Sequence, residues 1–246
     1  MCRAALQINQ KNHLLLSLSA ADFALVGPEL EPVSLPKHRV LVTPDETIGA
    51  VYFLESGLAS LVAEFDTPQA MEVMVIGREG MTGLAVALGE HRSPHTTLMQ
   101  VEGNGLRLST DALERAMARS PDLHKVLLHY VGRVMSDMAE SVVSAGKYAV
   151  QERLARWLLM CQDRLEADHL PLTHDFLAAM LGVRRPGVTV ALHILEGEHA
   201  IRSDRGDIVI LDRARLEELA AGAYSPLRHK LLKRGGSGPY EAGPIH

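Results

Sequence analysis

The stretch LTHDFLAAMLGVRRPGVTVALHILEGEHAIRSDRGDIVILD, residues 172–212, contains the start and stop signals of two consecutive short helices. Thr173 is a favourable N-cap, and Asp175 lies in the first turn, where a negative charge complements the helix dipole. Gly182 permits the left-handed backbone that ends many helices, and Pro186 suits the first turn of the helix that follows. The pattern therefore predicts a helix, a three-residue turn and a second helix, which is a helix-turn-helix.

A β-hairpin is predicted directly after the second helix. Residues 200–211 read AIRSDRGDIVIL, in which Asp204-Arg205-Gly206 is a tight-turn signal between two β-prone runs. A hairpin in this position makes the motif a winged helix-turn-helix, with Arg202 and Arg205 on or near the wing.

Two arginines, Arg184 and Arg185, stand at the start of the second helix, where the helix dipole disfavours cations. In DNA-binding helix-turn-helix motifs this end of the second helix enters the major groove. There an arginine contacts phosphates or the O6 and N7 atoms of guanine, and the polyanion offsets the dipole cost. An ordinary helical hairpin with solvated arginines is the alternative, but the glycine turn, the proline start and the wing argue against it.

The predicted recognition helix covers about Arg185–Leu195. Residues one and two turns into this helix share its exposed face, and the first helix is expected to cross the DNA backbone near its N-terminus. The candidate DNA-binding residues are Thr173, His174, Arg184, Arg185, Thr189, His193, Arg202 and Arg205.

The residues before this motif have a different pattern. Short β-prone runs punctuated by Gly, Pro and Asp occupy residues 32–108, which is typical of an antiparallel sandwich or roll. Gly57 and Asp66-Thr67-Pro68 are predicted hairpin turns. Ser120-Pro121-Asp122 then starts a long helix of about 24 residues.

The long helix carries apolar residues near heptad spacing, which suits a two-stranded dimer seam. A helix packed on its own β-roll would have the same pattern, so both interpretations remain open at this stage. The candidate dimer-interface residues are Leu123, Leu127, Tyr130, Val134 and Met138.

Composition excludes several classes of protein. The 246 residues include two cysteines, too few for a disulfide framework, and no apolar run is long enough for a membrane span, so we expect a cytoplasmic protein with no membrane partner. Aromatic residues make up 4%, which argues against a stacking platform for single-stranded nucleic acid. The first 146 residues carry a net charge of −6 and the remainder +1, which suits two domains with different partners.

Taken together, residues 13–222 resemble the Crp/Fnr superfamily, the transcription regulators that include the cyclic-AMP receptor protein. The resemblance implies an α+β fold with a cyclic-nucleotide-binding-type β-roll at 13–119, a dimerisation helix at 120–146 and a winged helix-turn-helix at 147–222. The tail at 235–246 is predicted to be disordered. The implied partners are double-stranded DNA, a second copy of the chain and RNA polymerase.

The chain departs from the nucleotide-binding members of this superfamily at two places. Gly83-Leu84-Ala85 stands where they have Gly-Glu-Leu, and leucine cannot accept a hydrogen bond from a ribose. Arg92-Ser93-Pro94 resembles their phosphate-binding Arg-Ser-Ala, but proline has no N–H to donate. Arg92 and Ser93 therefore remain candidate ligand-binding residues for another anion, while cyclic AMP is not expected to bind.

No cofactor is predicted. The iron–sulfur members of the superfamily need several thiolates near the N-terminus, and this chain has Cys2 alone there. His91 and His95 flank the Arg-Ser pair and leave a metal or haem role as a minor alternative.

The recognition helix also departs from that of the cyclic-AMP receptor protein. Arg185 keeps the first arginine of the family's reader, Pro186 replaces the following glutamate, and Val190 stands where a later arginine is found. The DNA sequence that it recognises should therefore differ.

Two other function classes fit the sequence less well than a DNA-binding regulator. One is a small-ligand sensor or interaction module whose helix-turn-helix does not read DNA. The other is an enzyme, but the chain has neither a P-loop lysine nor a nucleophile elbow, so no catalytic residue is predicted.

Overall fold

A computed structural model describes residues 10–63 and 71–224 of the protein. The predicted turn at Asp66-Thr67-Pro68, Cys2 and the tail at 235–246 lie outside these residues. The N-terminal part contains α1 (His13–Leu16), α2 (Ala20–Val26), a 3-10 turn (Gly27–Glu29), β1 (Glu31–Leu35), β2 (Val40–Val42), β3 (Ala50–Leu54), β4 (Leu58–Ala63), β5 (Met71–Ile76), α3 (Leu84–Ala87), β6 (Thr96–Val101), β7 (Gly103–Ser109) and α4 (Thr110–Arg119). The C-terminal part contains α5 (Pro121–Lys147), α6 (Val150–Leu165), β8 (His169–Leu170), α7 (His174–Leu181), α8 (Arg185–Gly197), β9 (Ile201–Asp204), β10 (Asp207–Ile210) and α9 (Arg213–Leu219).

The strands of the N-terminal part form two antiparallel sheets with the orders β1-β7-β3 and β2-β6-β4-β5. Gly57 turns the chain between β3 and β4 with φ +78°, and a Cβ there would lie 2.6 Å from the carbonyl oxygen of Val101. Only glycine fits this close approach. The predicted hairpin is wrong, however, because β3 and β4 belong to different sheets, and the turn at Gly57 carries the chain from one sheet to the other. The α+β fold class and the antiparallel roll are confirmed.

The long helix α5 begins where the sequence predicts. The Ser120 hydroxyl accepts a hydrogen bond from the backbone N–H of Leu123 at 3.1 Å, and Pro121 occupies the first turn. The helix continues for 27 residues, about 40 Å at 1.5 Å per residue.

The apolar stripe predicted for the dimer seam packs instead on the chain's own roll, which corrects that prediction. Leu123, Leu127, Tyr130 and Val134 are 1–3% exposed and belong to one core with residues of both sheets. The Tyr130 hydroxyl donates to the carbonyl oxygen of Met81 and accepts from its N–H, each at 3.1 Å. These four side chains have no surface left for a second copy. The fifth predicted residue, Met138, is partly buried against the same core.

The helix α6 is shared between two parts of the molecule. Its buried residues join a second core that includes Leu58, Val62 and Val75 of the roll as well as the apolar side chains of α7 and α8. Every residue of β4 is buried, because α6 covers a sheet face that would otherwise meet water. Cys161 lies in this core at 0% exposure, as its position in the helical pattern indicated.

Buried polar groups accompany this packing. The Glu72 carboxylate accepts hydrogen bonds from the Ser60 hydroxyl on the neighbouring strand and from the Trp157 indole N–H of α6. Arg164 of α6 forms an ion pair with Glu79 at 2.7 Å, and its side chain is only 5% exposed. The polar contacts therefore fix the angle of α6 on the roll, where apolar packing alone would tolerate sliding.

Among residues 10–63 and 71–224, no helix has the length and apolar character needed to cross a lipid bilayer.

We predict that Glu72 makes the protein less stable as pH rises from about 4.5 to about 7. Burial raises the pKa of this carboxyl to about 7, although the hydrogen bonds from Ser60 and Trp157 lower it. The folded state therefore holds a proton that the unfolded chain releases near pH 4.5, and the associated stability is lost as pH rises through the folded pKa. At 1.36 kcal/mol per pKa unit the loss is at most about 3 kcal/mol.

Urea denaturation at pH 5, 6, 7 and 8 measures this effect. Glu72→Gln keeps the shape and an acceptor for Trp157, and it should flatten the dependence. The control Glu31→Gln changes an exposed carboxylate of β1 and should keep the wild-type slope. Equal slopes for all three proteins would contradict the prediction.

Candidate nucleic-acid interface

The helix-turn-helix has the local geometry that its sequence predicts. The Thr173 hydroxyl accepts from the backbone N–H of Phe176 at 3.2 Å and caps α7. Gly182 adopts φ +61° at the end of this helix, and Arg184 is the extended residue that precedes α8. A three-residue turn separates the helices, so the predicted motif is confirmed.

The wing also follows the prediction. Strands β9 and β10 pair antiparallel, with Asp204 opposite Asp207, so that Arg205 and Gly206 form a two-residue turn. Gly206, the second residue of this turn, has φ +83°, a conformation that glycine adopts without steric cost. The short strand β8 pairs with β10 on its other side and completes a three-stranded sheet.

One face of α8 is anchored inside the domain. Val188, Ala191, Leu192 and Leu195 are 0–1% exposed and pack in the core centred on α6. The side chains on the other faces of α8 are therefore held rigidly toward solvent.

A groove of about 640 Å³ lies between the start of α7, the helix α8 and the wing. It brings together five of the eight predicted DNA-binding residues, which are Thr173, His174, Arg185, His193 and Arg205. Of the other three, Arg184 is exposed beside the start of α8, Thr189 is half-buried, and Arg202 is exposed on β9.

Two arginines of this surface have acidic neighbours. The Arg185 Nε lies 3.2 Å from an Asp175 oxygen and the Arg202 Nε 3.1 Å from an Asp204 oxygen, with both arginine side chains more than half exposed. Exposed ion pairs contribute little stability. A phosphate or a guanine edge can therefore replace the carboxylate at a small cost in free energy. In the protein without DNA, the carboxylate keeps the guanidinium oriented.

The structure gives His174 a different position from the one expected of a phosphate contact. Its Nε2 lies 3.3 Å from the Ser203 hydroxyl of the wing and its Nδ1 3.4 Å from the Thr189 hydroxyl of α8. Since both ring nitrogens face internal hydroxyls, His174 is placed to hold α7, α8 and the wing together. The phosphate contact expected of His174 stays a prediction.

Two residues of this surface escaped the sequence prediction. Glu196 accepts a hydrogen bond from the Ser203 backbone N–H at 2.7 Å, which ties the end of α8 to the wing, and its second oxygen lies 3.3 Å from the exposed His193. The i,i+3 spacing of His193 and Glu196 on one helix could have indicated their contact. Nothing in the local sequence indicates the contact of Glu196 with Ser203, because these two residues belong to separate elements.

The second candidate site is on the roll and includes Arg92 and Ser93. Gly83 has φ +71° and precedes the short helix α3 that begins at Leu84. The Ser93 hydroxyl accepts from the His95 backbone N–H at 3.2 Å, and Arg92 is exposed. Of the residues that the structure describes, no three His, Cys, Asp or Glu side chains are grouped in a way that could hold a metal ion.

Comparison with known proteins identifies the domain and the fold. Residues 152–219 match the family of Crp-like helix-turn-helix domains. No curated protein sequence is significantly similar to the chain.

Three solved structures show the likeness over most of the chain. A Crp/Fnr-family transcriptional regulator from Eubacterium rectale has a TM-score of 0.68 at 19% identity, covering 85% of this chain and 98% of the other. FixK2 from Bradyrhizobium japonicum has a TM-score of 0.67 at 18% identity, covering 77% and 96%. The CRP-family regulator TTHB099 from Thermus thermophilus has a TM-score of 0.66 at 19% identity, covering 78% and 98%.

Together, the β-roll, the long helix and the winged helix-turn-helix form the fold that these Crp/Fnr-family and CRP-family structures have. These structures share the fold of this chain, and residues 152–219 carry a Crp-like helix-turn-helix domain, as the resemblance of the sequence implied.

We predict that Gly182→Ala destabilises the protein by about 1–2 kcal/mol, the cost of the left-handed conformation for a residue with a Cβ. The added Cβ would also lie 3.2 Å from the Met71 sulfur of β5. Urea denaturation measures the change in the free energy of unfolding. The control Gly197→Ala adds a Cβ at the end of α8, where it meets nothing within 4 Å, and should not destabilise. An equal loss in both variants would refute this explanation of the turn.

Proposed function

We propose that the protein is a homodimeric, sequence-specific transcription regulator whose helix α8 enters the major groove of DNA. The observation that carries this proposal is the placement of Arg184 and Arg185, both exposed at the N-terminus of α8 beside an open groove and a wing. The helix dipole disfavours positive charge at the N-terminus of a helix. Arginines gathered there are therefore best explained by contact with a polyanion such as DNA.

Each proposed DNA contact has a role that follows from its position. Arg185 reads a guanine edge, with Arg184 on guanine or phosphate. Thr173, at the start of α7, contacts a phosphate through its hydroxyl, while Thr189 and His193 lie along the groove face of α8. Arg202 and Arg205 bring the wing to the flanking backbone.

The homodimer is proposed to form through a face of α5 other than the one first expected. Leu128, Met135 and Val142 are 41–73% exposed and recur every seven residues. The exposed small residues Gly132, Ala139 and Gly146 alternate with them, so the spacing is 4, 3, 4, 3, 4. Large knobs that alternate with small holes at this spacing suit a two-stranded coiled coil. Two recognition helices would then meet half-sites about 34 Å apart on DNA.

We expect Met135→Asp to convert the dimer to a monomer, because it places a charge at the centre of this face. The control His129→Asp puts the same charge on an exposed residue 100° round the helix from Leu128. Sedimentation equilibrium gives the mass of each variant, and thermal unfolding checks that both fold. A dimer that survives Met135→Asp would refute this seam.

The β-roll is proposed to respond to a signal other than cyclic AMP. Leu84 has no oxygen for a ribose, and the Ser93 hydroxyl already accepts the His95 N–H. Arg92 keeps a free guanidinium at the surface for an anionic ligand. RNA polymerase is the further partner that the regulator role implies, and the cytoplasm is the proposed location because its DNA partner lies there.

We expect Arg185→Ala to relax base preference at one position of each half-site, with a loss of discrimination of about 1–3 kcal/mol. Selection from random duplexes defines the preferred sequence, and affinities for single-base variants give the discrimination. The control Arg119→Ala removes an exposed arginine of α4 and should leave it unchanged. Uniform weakening on all sequences, with a salt slope reduced by about 1, would instead identify Arg185 as a phosphate contact.

A further inference from the structure

The exposed side of α8 is apolar at its centre, which the proposed arginine contacts do not explain. Since the helix has 3.6 residues per turn, the line opposite its buried face passes through Pro186, Val190 and His193. Val190 is 59% exposed, and Ile194 on the adjoining flank is 41% exposed. Of the three residues on this line, Pro186 and Val190 have no hydrogen-bonding group in their side chains.

Nothing within the described chain covers this centre. A Cβ added at Gly187, on the same side of the helix, would meet no atom within 4 Å. The charged groups lie around it, with Arg184 and Arg185 at the start of the helix and the wing arginines beyond the groove. A partner must therefore be anionic at its edges and offer an apolar group at its centre.

The major groove of B-DNA has this arrangement. Its walls carry phosphates, and the C5-methyl of thymine is the one apolar group among the base edges. We infer that Val190 is a specificity-determining residue that packs against a thymine methyl in each half-site, beside the base that Arg185 reads. This inference rests on the proposed entry of α8 into the major groove, and it adds a base identity that no arginine contact would supply.

Replacement of thymine by deoxyuridine tests the inference, because it removes the methyl and leaves every hydrogen-bonding group unchanged. The bound sequence is first selected from random duplexes, and each thymine of a half-site is then replaced in turn. We expect one position at which deoxyuridine weakens wild-type binding about fourfold, the factor that corresponds to one buried methyl group. In Val190→Ala the natural site should bind more weakly and that position should lose its sensitivity.

Two controls separate this effect from general damage. Val40→Ala shortens a similarly exposed valine on the roll, 51% exposed, and should keep the full deoxyuridine effect. Binding to a random duplex should be equal for all three proteins, because phosphate contacts are unchanged.

The outcomes distinguish the two levels of proposal. A selected motif that Arg185→Ala relaxes, with no thymine sensitive to deoxyuridine, would keep the proposed function and overturn the role of Val190. Sensitivity that persists unchanged in Val190→Ala would overturn that role as well. Failure to enrich any motif, with or without added cyclic nucleotides, would overturn both.

Discussion

A single buried carboxylate joins the two halves of this molecule. Glu72 stands on β5 and receives hydrogen bonds from Ser60 in the roll and from Trp157 in α6. A charged or half-satisfied group in such a place is costly, so its donors must stay in position whenever the protein is folded. The same helix carries Arg164, whose buried guanidinium pairs with Glu79 of the roll. The orientation of α6 on the sheet is therefore strongly determined.

The surface that we propose to read DNA depends on that orientation. Helix α6 packs against the buried face of α8 and so determines where the exposed side chains of α8 stand. Gly182 adds a second link, because the turn of the helix-turn-helix lies against Met71 at the start of β5. A ligand that altered the roll near Glu72 would thus act on α8 through directly packed side chains. Such a ligand would have to bind two conformations of the protein with different affinity.

Charge on the proposed reading surface is balanced rather than strongly basic. Asp175 and Asp204 accompany Arg185 and Arg202, which agrees with the nearly neutral C-terminal part of the sequence. Non-specific attraction to DNA rises with net positive charge, whereas base contacts depend on where individual groups stand. In the proposed complex, the paired acids would favour discrimination between sequences over general affinity, and the proposed contact of Val190 would act in the same direction.

The sequence by itself determined the local elements. Thr173, Gly182 and Pro186 specify caps and turns through their own backbone preferences, so the helix-turn-helix could be predicted closely, and Gly206 did the same for the wing. Only the tertiary structure decided which faces those elements use. Leu127 and Tyr130 have the spacing of a dimer seam, but the roll covers them and leaves Met135 and Val142 exposed. His174 meets Ser203 and Thr189 only after three elements pack together. Caps and turns arise from a few neighbouring residues, while the choice between two apolar faces depends on what the distant chain brings against them.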